Sequence, residues 1–320
     1  MSLQFTQQIR SLCTRYETIL IKWLSSAKLR VKPSTFARYQ YVCKKYIQPY
    51  LGNIPLSKLT YQTLENYIDY LLHYGSCTGE GLSSKTVADI YSVIKLTLDF
   101  AASMNYAINA GYRLVTIRKQ YSQTKVLSKQ QQNLITAAAS KNTAPADLGI
   151  LFSLYMGLRL GEVCALKWKH ISFSEQTLTV RHTVQRIPVS ENSNTPKTGI
   201  IITEPKSQSS IRIIPMPEFL IHLAKPLYRN PECYILTGTD RCMEPRTLQN
   251  YFHRIQKKCR IAPVNYHILR HTFATRCIEL GFDIKTLSEI LGHATVSITL
   301  NRYVHSSLDL KKQYMEKINQ

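Results

Sequence analysis

Through the first 110 residues apolar positions recur at helical spacing, with polar residues filling the opposite face. In LSKLTYQTLENYIDYLLHYG, residues 56–75, Leu64, Ile68 and Leu71 or Leu72 share one face and Gly75 closes the run. That pattern predicts a helix with a glycine stop. LSSKTVADIYSVIKLTLDFAASMNYAI, residues 82–108, repeats it, with a Ser/Thr start and then Val87, Ile90, Ile94 and Leu98. An earlier helix opens at Lys32, Pro33, Ser34 and Thr35, with proline in the first turn and hydroxyls beside it, and Pro49 and Gly52 are expected to stop it.

The second half mixes two periods. LSKQQQNLITAAA (127–139) and ADLGILFSLYMGLRLGEVCALKW (146–168) read as two helices, the second mostly buried. QTLTVRHTVQRIPV (176–189) and IIITEPKSQSSIRIIPMP (200–217) alternate and are rich in Val, Ile and Thr, which predicts strands of one small sheet. From Arg246 onward helices return. The chain therefore reads as mainly α with a small antiparallel β-sheet, in two domains: a helical domain 1–112 and an α+β domain 126–305. Between them, 113–125 is a basic linker centred on RKQYSQTK, either a solvated connection or a strap along a polyanion. A short amphipathic tail, 306–320, carries Leu310, Tyr314 and Ile318 at i+4 spacing.

Charge narrows the class of partner. Among 320 residues, 41 Lys and Arg stand against 20 Asp and Glu, a net charge of +21. Counterion release rewards such an excess when it meets a polyanion, which points to nucleic acid. A membrane surface is the competing polyanion, but the best apolar run, Leu148–Leu158, is too short to span one. The opening MSLQFTQQIR lacks the apolar core of a signal peptide. Eight scattered cysteines without a CxxC pair read as reduced thiols in a cytoplasm. His267 and His271 are spaced as a metal pair, but the glutamate of an HExxH site is missing and Arg270 would repel a cation.

Chemistry gathers near the C-terminus. HILRH at 267–271 and LGHATVSITLNRYVH at 291–305 place imidazoles and a guanidinium just upstream of Tyr303. A phenol with a pKa of about 10 is a poor nucleophile unless neighbours help remove its proton. Further upstream, Arg159 sits in GLRLGE at the end of an apolar helix, where a charge is costly to bury without a partner. Lys206 lies in EPKSQSSIR between strands. Read one at a time these are ordinary: Arg159 as an ion pair with Glu162, Lys206 as a turn lysine, His267, Arg270 and His293 as capping or packing groups.

Their joint order is not ordinary. Arg159 in GLRLGE, Lys206 in PKSQSSIRIIP, His267 and Arg270 in HILRHTFAT, His293 in LGHATVSIT and Tyr303 in NRYVH follow one another as in the tyrosine recombinase (phage integrase) family, which residues 125–320 resemble. Lys197 in TPKTG is a second match for the family's lysine, and Lys206 is preferred because SSIRIIPM follows it. The first domain, with KPSTFARYQY, is similar to the helical core-binding domain of that family. The additional N-terminal arm-binding domain of many integrases has no counterpart before residue 10, so the chain is expected to work without arm sites or to be truncated.

The resemblance implies a mobile-element integrase or related recombinase that cuts and rejoins DNA through a 3′-phosphotyrosine and a Holliday junction, with neither metal nor ATP. It implies Tyr303 as nucleophile, Arg159 and Arg270 as anion-stabilising donors, and His293 as a further donor. Lys206 would be the general acid, His267 would assist the proton of Tyr303, and Glu162 would orient. Helix starts at Ser34, Thr35, Arg38 and Tyr39 and at Ser84, Lys85 and Thr86 are candidate DNA contacts, joined by Arg118, Lys119 and Lys125 of the linker and by Arg246. The expected partners are specific double-stranded DNA sites, three further copies linked through the tail, and an accessory directionality protein. The expected compartment is the cytoplasm of a bacterium, at the nucleoid. Two other readings use the same fold: a DNA-binding regulator that cleaves nothing, and a type IB topoisomerase.

Overall fold

The structure, a computed structural model, describes residues 14–118, 125–141, 144–188, 198–203, 211–303 and 315–316. Two compact units divide the chain, Met1–Ser122 and Gln123–Gln320. No helix among the described residues is long and apolar enough to cross a membrane.

The first unit is helical: α1 (Tyr16–Lys28), α2 (Pro33–Val42), α3 (Gln48–Leu51), α4 (Tyr61–Tyr74) and α5 (Ser84–Ser103). Thr60 and Ser83 cap α4 and α5 by accepting from the backbone N–H groups of Thr63 and Thr86, which satisfies donors that a helix start leaves open. Leu64, Ile68 and Leu71 of α4 meet Val87, Ile90, Ile94 and Leu98 of α5 in one core with Tyr16, Ile19 and Trp23. Of the two expected stops, Gly52 caps the end of the helical stretch from α2 to α3, whereas Pro49 does not interrupt it. A π-turn over Cys43–Ile47 shifts the hydrogen-bond register, so that the Gln48 N–H reaches the Cys43 carbonyl and Pro49 falls in the first turn of α3. There a proline's missing N–H costs nothing. Val115 and Ile117 pack against this same core.

The second unit opens with α6 (Lys129–Ala139), held by a capping box in which Ser128 and Gln131 exchange hydrogen bonds. What reads in sequence as one buried helix over 146–168 is two. α7 (Pro145–Met156) ends at Gly157, whose left-handed φ of 65° turns the chain, and α8 (Leu160–Cys164) starts after Arg159. Five strands follow among the described residues: β1 (Ile171–Ser172), β2 (Thr177–Val180), β3 (Thr183–Pro188), β4 (Thr198–Thr203) and β5 (Arg212–Pro215). They form two antiparallel sheets rather than one, β1-β2-β5 and the hairpin β3-β4. In the first, Val180 lies opposite Arg212 and Leu178 opposite Ile214. The remaining helices are α9 (Glu218–Ala224), α10 (Pro245–Lys258), α11 (Ile268–Glu279), α12 (Ile284–Leu291) and α13 (Val296–Tyr303). α7 is buried on nearly every side and packs on α11, so the loop beyond α7 and the start of α11 are fixed to one another.

Candidate active site

The site is built on the carbonyl end of α12. A helix C-terminus presents carbonyls without intrahelical partners and carries the negative end of the helix dipole. Here three successive carbonyls are each taken by a different arginine. Arg212 Nε donates to Ile290 O at 2.6 Å, Arg270 Nη2 to Leu291 O at 2.7 Å, and Arg159 Nη2 to Gly292 O at 2.9 Å. Gly292, with φ 63°, ends the helix in the left-handed conformation and turns His293 out of its axis.

Glu162 joins two of these cations. Its carboxylate accepts from Arg159 Nη1 at 2.7 Å and from Arg212 Nη1 and Nη2 at 3.2 and 2.9 Å. Oε2 also accepts from the Arg159 backbone N–H, at 2.9 Å, which caps α8. Burial alone would raise its pKa, but Arg212 first and then Arg159 and Arg270 outweigh that and hold it at about 2. Arg270 also donates through Nη1 to Gly157 O at 2.7 Å. Burial, and next the charge of Arg159, push its guanidinium down to about 9, which leaves it charged at neutral pH. Three guanidiniums against one carboxylate give the site a net positive charge, suited to an anion whose negative charge grows during reaction. Arg159 is the most open of the three, its side chain 35% exposed against 6% for Arg212, while Arg270 is buried.

Tyr303 closes the site at the end of α13. It is 7% exposed and packs with Ala274, Cys277, Leu287 and Leu291. Its hydroxyl shares a hydrogen bond with His271 Nδ1 at 2.8 Å. The His293 ring lies parallel to the phenol at a centroid distance of 6.4 Å, and its Nδ1 pairs with the buried Thr299 hydroxyl at 2.8 Å. His267 stands just ahead of α11, its ring perpendicular to that of His271 at 4.5 Å. The phenol thus has an imidazole partner in His271, which sequence reasoning did not assign to it.

Of the residues singled out in sequence, the fold gathers Arg159, Glu162, His267, Arg270, His293 and Tyr303. Lys206 and Lys197 lie outside the described residues, as do Lys119 and Leu310, Tyr314 and Ile318 of the tail. In sequence, Lys197 immediately precedes β4, whereas Lys206 falls between β4 and β5. Two members of the cluster were missed. Arg212 could have been suspected, because it alternates with Ile214 on the inward side of a strand, where a charge demands a partner. His271 was seen only as half of a metal pair.

The candidate contacts of the first unit occupy helix starts. Ser34 and Thr35 are in the first turn of α2, and Ser84, Lys85 and Thr86 in that of α5. Arg38 pairs with Asp89 at 2.7 Å, joining the second turns of these two helices, and Tyr39 packs on Trp23. Arg118 and Lys125 lie in irregular segments, and Arg246 is in the first turn of α10.

Comparison with known proteins places the chain and its fold. Residues 125–309 match the Phage integrase family, and residues 16–72 match its N-terminal SAM-like domain. A protein named tyrosine recombinase XerC-like, from Caldanaerobacter subterraneus, is 26% identical over 322 residues, spanning 93% of this chain and 81% of its own length. The ICEBs1 integrase of Bacillus subtilis is 22% identical over 97% of this chain and 84% of its own. Among solved structures, the Tn1549 transposon integrase in complex with a circular intermediate DNA superposes with a TM-score of 0.77 at 22% identity, covering 95% of this chain and 99% of that one. A lambda integrase dimer bound to a core site gives 0.68 at 18%, covering 95% and 81%. At such identities the structural likenesses speak for the fold alone.

Proposed function

The chain belongs to the phage integrase family, and on that premise we propose that it is a site-specific DNA recombinase in which Tyr303 is the nucleophile. The phenol oxygen attacks the scissile phosphorus, giving a 3′-phosphotyrosine and a free 5′-hydroxyl. The phosphodiester energy is kept in the protein–DNA bond, so rejoining needs no ATP. Arg159 and Arg270 donate to the non-bridging oxygens as charge builds there, a task for which a planar fork charged at neutral pH is suited. His293 adds a donor, and Lys206 delivers a proton to the departing 5′-oxygen. Glu162 reacts with nothing and holds Arg159 in place. Exchange between two duplexes proceeds through a Holliday junction.

One observation carries this reading. Arg159 and Arg270 come from distant parts of the sequence, yet both donate to the last carbonyls of α12, beside His293 and the phenol of Tyr303. Polar groups fixed by the fold before reaction need no rearrangement when charge develops, which is the largest contribution in many enzymes.

The first unit, with its net-basic helix starts, is the core-binding half of the DNA grip, helped by Arg118, Lys119, Lys125 and Arg246. Four copies assemble on two duplexes, each tail 306–320 seated on a neighbour, in the bacterial cytoplasm, where an accessory protein sets direction.

The test is a nicked duplex carrying a bound site selected from random-sequence DNA, in which the short strand beyond the nick diffuses away and traps the adduct. Wild type is expected to accumulate a protein–DNA covalent complex, and Tyr303→Phe none. A wild type that leaves no adduct, or a Phe variant that still leaves one, overturns the reading.

A further inference from the structure

An attacking phenol must lose a proton, and among the described residues the His271 imidazole is placed to take it directly. His271 Nδ1 lies 2.8 Å from the Tyr303 hydroxyl. His267 meets His271 ring to ring at 4.5 Å. His293 faces the phenol ring in parallel at 6.4 Å while its Nδ1 engages Thr299. His271 is held rigidly, because it follows Arg270, which is fixed by bonds to Gly157 O and Leu291 O.

We propose that His271 is a further catalytic residue, the base that accepts the phenolic proton of Tyr303 during attack. The inference rests on Tyr303 being the nucleophile. In the step, the Tyr303 O–H bond breaks and its proton passes to His271 Nδ1 while the phenol oxygen bonds to phosphorus. The bond from phosphorus to the 5′-oxygen breaks, and that oxygen takes its proton from the general acid. Rejoining runs the same transfers backward, with His271 returning the proton to the phenol. His267, in ring contact with His271, helps to position that imidazole.

The experiment measures single-turnover adduct formation on the nicked duplex. His271→Asn keeps an amide near the position of Nδ1, so a hydrogen bond and the packing survive while the basicity does not. The expected outcome is unchanged DNA affinity with cleavage slower by about 10²-fold, the low end of what a positioned base contributes. His271→Ala is expected to recover rate as imidazole is added. Replacing Tyr303 with 3,5-difluorotyrosine, a more acidic phenol, is expected to shrink the deficit of the Asn variant, which a purely structural role would not do. An Asn variant cleaving at the wild-type rate, an Ala variant that binds DNA but ignores imidazole, or a deficit indifferent to phenol acidity overturns His271 as the base. Absence of any adduct with wild type overturns the role of Tyr303 instead.

Discussion

The Arg212 guanidinium grips the Glu162 carboxylate end-on, Nη1 to Oε1 at 3.2 Å and Nη2 to Oε2 at 2.9 Å, with the side chains only 6% and 3% exposed. The same carboxylate holds Arg159, so an arginine with no part in the proposed chemistry fixes one that has. Arg212→Ala leaves Glu162 buried against a single, half-open partner. Breaking a buried pair in this way costs about 3–5 kcal/mol, and the urea unfolding midpoint should fall accordingly. Arg212→Lys, which keeps the charge and loses the fork, should lose less.

Acid should act through Glu162. Its folded pKa, about 2, lies below the ordinary value of 4.5, so its contribution to stability is complete above that ordinary value and fades as pH falls toward 2. Glu162→Gln should therefore be least stable relative to wild type at neutral pH, and the gap should close in acid. Urea titrations of both proteins at neutral pH and at two acidic values check this; a gap that widens in acid would refute it.

Replacing either anion-stabilising arginine should separate binding from chemistry. Arg159→Lys and Arg270→Lys retain a cation and should bind DNA with nearly wild-type affinity. Adduct formation should slow by about 10²–10³-fold, the loss typical of one preorganised donor. Single-turnover trapping at saturating DNA measures it.

Gly292 is constrained twice. Its φ is 63°, and a Cβ there would stand 3.0 Å from Arg212 Cδ and Nη1. Gly292→Ala should cost about 1–2 kcal/mol from the left-handed backbone alone. It should also slow cleavage, because His293 is the next residue. Calorimetry and adduct trapping together test both halves.

DNA affinity should fall steeply with salt, as expected of a chain carrying +21. If Lys85, in the first turn of α5, neutralises a phosphate, Lys85→Ala should lower the slope of log K against log salt by about 1 without favouring one sequence over another.

Much of the fold was legible in the residues. Leu64, Ile68 and Leu71, and Val87, Ile90, Ile94 and Leu98, are the buried faces of α4 and α5, because helical periodicity is a local property that burial rewards directly. Pro49 misled, because whether a proline ends a helix depends on the preceding hydrogen-bond register, and a π-turn changed it. The strand text did not disclose two sheets, since alternation fixes which face is buried and not which strands pair.

For the site, sequence by itself determined the inventory: the order Arg159, His267, Arg270, His293 and Tyr303, the glycines that precede Arg159 and His293, and the excess of positive charge. Those depend on residue type and spacing, which the chain carries wherever it folds. Tertiary structure alone decided the partnerships. Arg212 reaches Glu162 across 50 positions, Arg159 reaches Gly292 across 133, and Tyr303 meets His271 across 32. A hydrogen bond requires two groups at the same place, and packing α7 on α11 and closing β5 on β2 is what brings such distant groups there.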